Sequence, residues 1–164
     1  MVRMLFFSLI FFILHACSDD SGRLAKLESR VAELEKKADD SYRPGFGEFM
    51  GNIQVHHAKL WFAGTNGNWA LADFEVSEIR ETLDNLKKYQ AARVETQSLP
   101  MIEPVLDGVA DAIKKKDKKD FKQLFTTLTE TCNQCHRAVN YPFNDVKIPD
   151  HPPFGNQVFR IEDK

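Results

Sequence analysis

Cysteine is scarce in this chain: Cys17, Cys132 and Cys135 are all that its 164 residues contain, so no disulfide framework can hold the fold and an ordinary hydrophobic core must do so. Long apolar runs are missing as well. The main one, from Met4 to Leu14, is too short to span a bilayer. Neither sign of charge dominates, the formal net charge being -2. The one dense basic run, Lys114-Lys115-Lys116 beside Asp117 and two further lysines, reads as a solvated loop, and no nucleic-acid partner is expected. Strand alternation, a Gly-rich phosphate loop, a Ser-His-Asp order and an Asp-rich calcium loop are all absent from the sequence, which leaves hydrolase and nucleotide-binding readings without support.

What is there begins with Met1-Val2-Arg3 and the apolar run after it, the basic and hydrophobic parts of a secretory signal. Leu14-His15-Ala16-Cys17 closes that run and resembles a bacterial lipobox, although His15 stands where a small or apolar residue is usual. Expected boundaries are a signal peptide over 1–16, a lipid-anchored stalk over 17–41 with Cys17 carrying the lipid, a helical domain over 42–141 and a tail over 142–164. In the stalk, Leu24, Leu27, Val31, Leu34 and Ala38 alternate spacings of three and four, the heptad pattern of a coiled coil. With Leu24 at position a, the g positions are Arg23, Arg30 and Lys37 and the e positions Glu28 and Glu35. Those charges would attract one another in a parallel homo-oligomer, a dimer or trimer over residues 23–38. A solvated amphipathic spacer helix fits the same residues.

Arg43-Pro44-Gly45 ends the stalk. Phe49, Ile53, Leu60 and Trp61 mark a first core helix over 46–63, and Gly64-Thr65-Asn66-Gly67-Asn68 a turn with an Asn cap. Ala72, Val76, Ile79, Leu83 and Leu86 trace a second helix. Ser98, Pro100 and Pro104 mark a break and restart, before Val105, Val109 and Ile113 give a third stripe. Asp117 caps a fourth helix through Phe121, Leu124, Phe125 and Leu128 into Cys132 and Cys135. Four helices with short connections predict an all-α, antiparallel up-down-up-down four-helix bundle. Prolines 142, 149, 152 and 153 leave an extended tail packed on it.

The chemistry lies in Cys132-Asn133-Gln134-Cys135-His136, the C-x-x-C-H spacing in which two thiols add to the haem vinyl groups while the next imidazole binds iron. One covalent haem c, held by two thioethers, is the expected cofactor, with His136 as proximal ligand. A zinc site built from the same cysteines with His136 and His56, His57 or His151 competes, as does a Cys132–Cys135 disulfide. For the sixth iron ligand, helical angles rank the first-helix candidates. His57 falls roughly 25° from the centre of the apolar face, Met50 roughly 45° and His56 roughly 75°. His57 is therefore the expected distal ligand, with Phe49, Ile53, Leu60 and Trp61 lining the distal side. Arg137 could pair with a propionate. Tyr141, Phe143, Phe154 and Phe159 supply aromatic surface, part of which is expected to pack over the haem edge. Trp61 and Trp69 read as core anchors.

A haem motif near the end of the last of four helices resembles the class II cytochromes of the cytochrome c-prime type, over about residues 46–141. More narrowly, His57-Ala58-Lys59-Leu60-Trp61-Phe62-Ala63-Gly64, Asn68-Trp69, Cys132 to His136 and Pro152-Pro153-Phe154-Gly155-Asn156-Gln157 resemble exported bacterial monohaem proteins. The heptad after Cys17 is similar to a much shortened murein-lipoprotein stalk. The haem motif, the inward His57 and the signal segment together predict a periplasmic, membrane-tethered electron-transfer protein with an unidentified redox partner and no catalytic residue. Cytochromes c-prime typically leave the sixth site open under an apolar residue, and His57 departs from that pattern. A gas-binding or sensing protein for nitric oxide or carbon monoxide is the alternative. A peroxidase would have His56 alone as acid-base candidate.

Overall fold

The computed structural model describes residues 2–42 and 44–161, and for residues 2–19 the backbone alone. By its internal contacts the chain forms two compact units, Met1–Arg43 and Pro44–Lys164. The first is one helix, α1 (Val2–Asp39), closed by a bond from the Ser41 hydroxyl to the Ala38 carbonyl. The expected signal segment and Cys17 lie outside the residues whose side chains are described. Among the described residues no helix is long and apolar enough to cross a membrane.

The second unit carries α2 (Phe46–Asn66), α3 (Trp69–Tyr89), a 3-10 segment (Val94–Met101), α4 (Glu103–Lys115) and α5 (Lys118–Ala138). The chain is all-helical, with no strand among the described residues. Helix α3 packs on α2 and α4, and α5 packs on α4 and α2, so each of the four touches two neighbours and all share one core. Leu60, Val76, Leu86, Leu106, Val109, Phe121 and Phe125 fill that core with almost no exposure. Such residues recur every three or four positions on each helix, so folding buries one stripe per helix.

Local chemistry sets the ends of these helices. Asn68 accepts a bond from the Leu71 amide and Asp117 from the Lys119 and Asp120 amides, each supplying an acceptor to a first turn that has none of its own. Helix α2 runs past the expected stop at Ala63. The Thr65 hydroxyl donates to the Trp61 carbonyl and the Asn66 amide to that of Phe62, so both side chains serve the helix, and Gly67 ends it at φ 75°. Gly64 lets α5 approach closely: a Cβ there would come within 2.2 Å of the Phe121 ring. The stretch expected to be a plain break before Pro104 is instead the 3-10 segment, with Pro100 inside it and Ile102 alone between it and α4.

Residues 142–161 form turns and irregular backbone. Phe159 is buried against Phe62, their ring centroids 5.7 Å apart, and Ile148 is partly buried on the core. These two side chains give the tail its apolar hold on the helices.

Candidate functional site

A cavity of about 450 Å³ opens beside the C-terminal turns of α5, within the roughly 300–1,000 Å³ typical of small-molecule and cofactor sites. Its walls include Cys132, Cys135 and His136 from α5, Met50, Ile53 and His57 from α2, Leu99 and Ile102 before α4, and Tyr141, Asn144 and Val146 after α5. The C-x-x-C-H residues and the best-ranked inward histidine thus face one space. Neither Phe49, Leu60, Trp61 nor Arg137 lines it. Trp61 packs on Phe125 and Phe121 at 5.0 and 6.5 Å, and Trp69 meets Phe121 edge-on at 6.1 Å, as core anchors do. Arg137 is exposed. Of the tail aromatics only Tyr141 reaches the cavity wall, while Phe143 is 80% exposed.

His136 is held in a defined tautomer. Its Nδ1 lies 2.6 Å from the Asn144 carbonyl oxygen; a carbonyl can only accept, so Nδ1 carries the proton and the lone pair is on Nε2. Metal-binding histidines usually have their other ring nitrogen fixed this way. The loop that brings Asn144 there is clamped by the motif itself: the Asn133 amide donates to the Val146 carbonyl at 2.7 Å, and the Val146 amide donates to Asn133 Oδ1 at 2.8 Å. The Tyr141 amide bonds to the His136 carbonyl at 2.8 Å. Asn133, one of the variable motif positions, therefore has a structural task.

His57 is nearly fully buried and tilts over Phe125, with ring centroids 4.5 Å apart. The Thr129 hydroxyl donates to the Phe125 carbonyl at 3.0 Å, so at the 2.9 Å contact with His57 it accepts from Nε2–H. Burial lowers the His57 pKa to about 4, and the ring is neutral at neutral pH, as a metal ligand must be. Between pH 6.5 and 4 the unfolded chain takes up a proton that the folded one refuses, so stability falls with falling pH across that window and is level above it. For the cofactor-free chain, urea unfolding at pH 4.5 against pH 7 is expected to show ~2–3 kcal/mol more loss in the wild type than in His57→Gln.

His56 turns away from the cavity toward α3. Its Nδ1 lies 2.6 Å from Glu75 Oε2, and Lys59 Nζ lies 3.7 Å from Glu75 Oε1. Glu75 is fully buried, so the His56 ring nitrogen and the Lys59 ammonium are its polar partners and the cluster fastens α2 to α3. The acid-base part suggested for His56 has no place at the cavity.

Sequence reasoning missed two charged residues at the cavity. Arg93 bonds Glu95 through Nη2 at 2.5 Å and Nε at 3.1 Å and lies over the Phe46 ring at 5.4 Å. The pairing holds Glu95 down to about 2. Both residues line the cavity, and Arg93 rather than Arg137 is placed to meet an anionic group there. Gly47 and Gly51 are also wall residues, and a Cβ on either would meet nothing within 4 Å. Glycine inside a helix costs up to ~1 kcal/mol relative to alanine, and no protein atom requires it at Gly51.

Burial raises both thiols, Cys132 to about 12 with help from its neighbour Cys135. Reactive C-x-x-C thiolates sit at helix N-termini, whereas these occupy the last turns of α5. No group of three or more His, Cys, Asp or Glu close enough to hold a metal ion is found among the described residues. When the chain is compared with known proteins, no family model, no curated protein and no solved structure matches it.

Proposed function

We propose that the cavity holds one haem, bound through thioethers to Cys132 and Cys135 with His136 as proximal ligand, in a protein that carries electrons. The observation that carries this reading is the convergence of both thiols, a tautomer-fixed His136 and a neutral His57 on one apolar cavity. A porphyrin brings four nitrogen donors of its own, so it asks of the protein one or two axial ligands, and that is the donor set present. The haem supplies one-electron chemistry; the protein supplies attachment, axial imidazole and burial. Arg93 is the propionate partner in this reading, and the open space at Gly47 and Gly51 receives the macrocycle edge.

In the same reading helices α2–α5 are an up-down-up-down four-helix bundle of the kind seen in class II cytochromes. The signal segment directs export, Cys17 carries lipid and tethers the protein to the periplasmic side of a membrane, and a separate redox protein exchanges electrons with it. One specific contact favours the second reading, gas binding: the His57 Nε2 bond to Thr129 must open before that nitrogen can reach iron, so the sixth site is displaceable.

The test is the absorption spectrum of protein exported in a host that attaches c-type haem. One covalent haem per chain and sharp low-spin bands in the reduced state, unchanged by carbon monoxide, are expected. A folded, exported chain without haem would overturn the assignment, and rapid carbonyl formation would move the function to gas binding.

A further inference from the structure

Four large apolar side chains stand bare in a line along α1: Leu24 is 58% exposed, Leu27 57%, Val31 50% and Leu34 61%. Every residue from 20 to 42 is exposed, so no part of this stripe is covered. Isolated helices are marginal in water and gain most of their stability by burying an apolar face. This face therefore has a missing partner.

The charges beside the stripe identify it. Arg23, Arg30 and Lys37 occupy the g positions and Glu28 and Glu35 the e positions. In a parallel pair each g residue meets the e residue five positions later on the other helix, which joins Arg23 to Glu28 and Arg30 to Glu35 in both directions. In an antiparallel pair g meets g and e meets e, setting like charges together. In the central layers Val31 at position a between Leu27 and Leu34 at d is the combination that favours two strands, with Leu24 and Ala38 at the outer a positions. Lys37, the last g residue, is held within its own helix by Glu33 at 2.7 Å, so the charges that set the register are Arg23 and Arg30 with Glu28 and Glu35.

We propose that residues 24–38 of α1 pair in parallel register with the same segment of a second copy of this chain. Two heptads make a weak seam, and the pairing is concentration-dependent. The inference stands independently of haem, because its argument draws on no residue of the second unit.

Sedimentation equilibrium of the full chain in density-matched detergent micelles tests it. Wild type shifts from the mass of one chain to that of two as concentration rises, and Leu27→Asp stays at one. Glu28→Lys/Glu35→Lys makes both seam edges basic, and Arg23→Glu/Arg30→Glu/Lys37→Glu makes both acidic. Each set alone should weaken pairing by about ten-fold, ~1.4 kcal/mol, and the equimolar mixture should recover it. Recovery on mixing also establishes that the variants fold. A wild type that stays single, pairing that survives Leu27→Asp, or pairing indifferent to both charge sets would overturn the proposal.

Discussion

The double variant Cys132→Ala/Cys135→Ala should emerge folded and without covalent haem, a complete loss read by peroxidase staining of a denaturing gel. Thioether formation needs both sulfurs, and the cavity offers no other thiol. Alanine is a good helix former and the two positions lie inside α5, so circular dichroism should retain the helical signal. The outcome separates haem attachment from the thiol readings. A thiol-disulfide protein would use a thiolate, whereas burial holds Cys132 up at about 12, and a zinc protein would lose bound zinc, not haem, in the same variant. Gly51→Leu should produce a similar loss by a different route. It improves helix propensity and its Cβ meets no protein atom within 4 Å, yet its side chain is added at the wall of the space assigned to the macrocycle. Retention of full haem content in Gly51→Leu would displace the macrocycle from that wall.

How much of this was legible in the sequence follows from how local each feature is. Asn68 and Asp117 announce helix starts because a cap acts within three residues. The end of α2 was hidden because Thr65 and Asn66, common turn residues, bond backward to helix carbonyls. The C-x-x-C-H residues are written contiguously, and His57 was found by angle because its helix is regular. Angle alone misplaced Trp61. It shares the apolar face of His57 but sits four residues further along, ~6 Å at the rise of an α-helix, where α2 meets Phe121 and Phe125 and not the cavity. Phe49 likewise shares the face but not the cavity wall. Arg137 was chosen for adjacency to His136, although the next helical residue lies about 100° around the axis, and here that points to solvent. Arg93, Glu95 and Asn144 reach the site from segments outside the long helices. Their positions depend on the whole chain path, to which no local pattern gives access.

His57→Ala should convert an inert reduced protein into one that binds carbon monoxide. If His57 is the sixth ligand, its removal leaves iron with His136 alone, and carbon monoxide affinity should rise by roughly a hundred-fold, ~2.7 kcal/mol, with the reduced bands broadening to those of a five-coordinate iron. Thr129→Val tests the resting bond. It removes the acceptor that holds Nε2 at 2.9 Å, a bond worth ~0.5–1.5 kcal/mol, so His57 is freed for iron and carbon monoxide should bind more weakly still. Electron transfer and gas binding part at wild type and at His57→Ala, whereas Thr129→Val lowers carbon monoxide affinity on either reading. For a gas binder, wild type already takes up carbon monoxide, His57→Ala changes affinity little, and Thr129→Val closes the site. The size of the His57→Ala effect therefore says whether the protein keeps His57 on iron, and the drop from wild type to Thr129→Val is large only where the Thr129 bond holds it back.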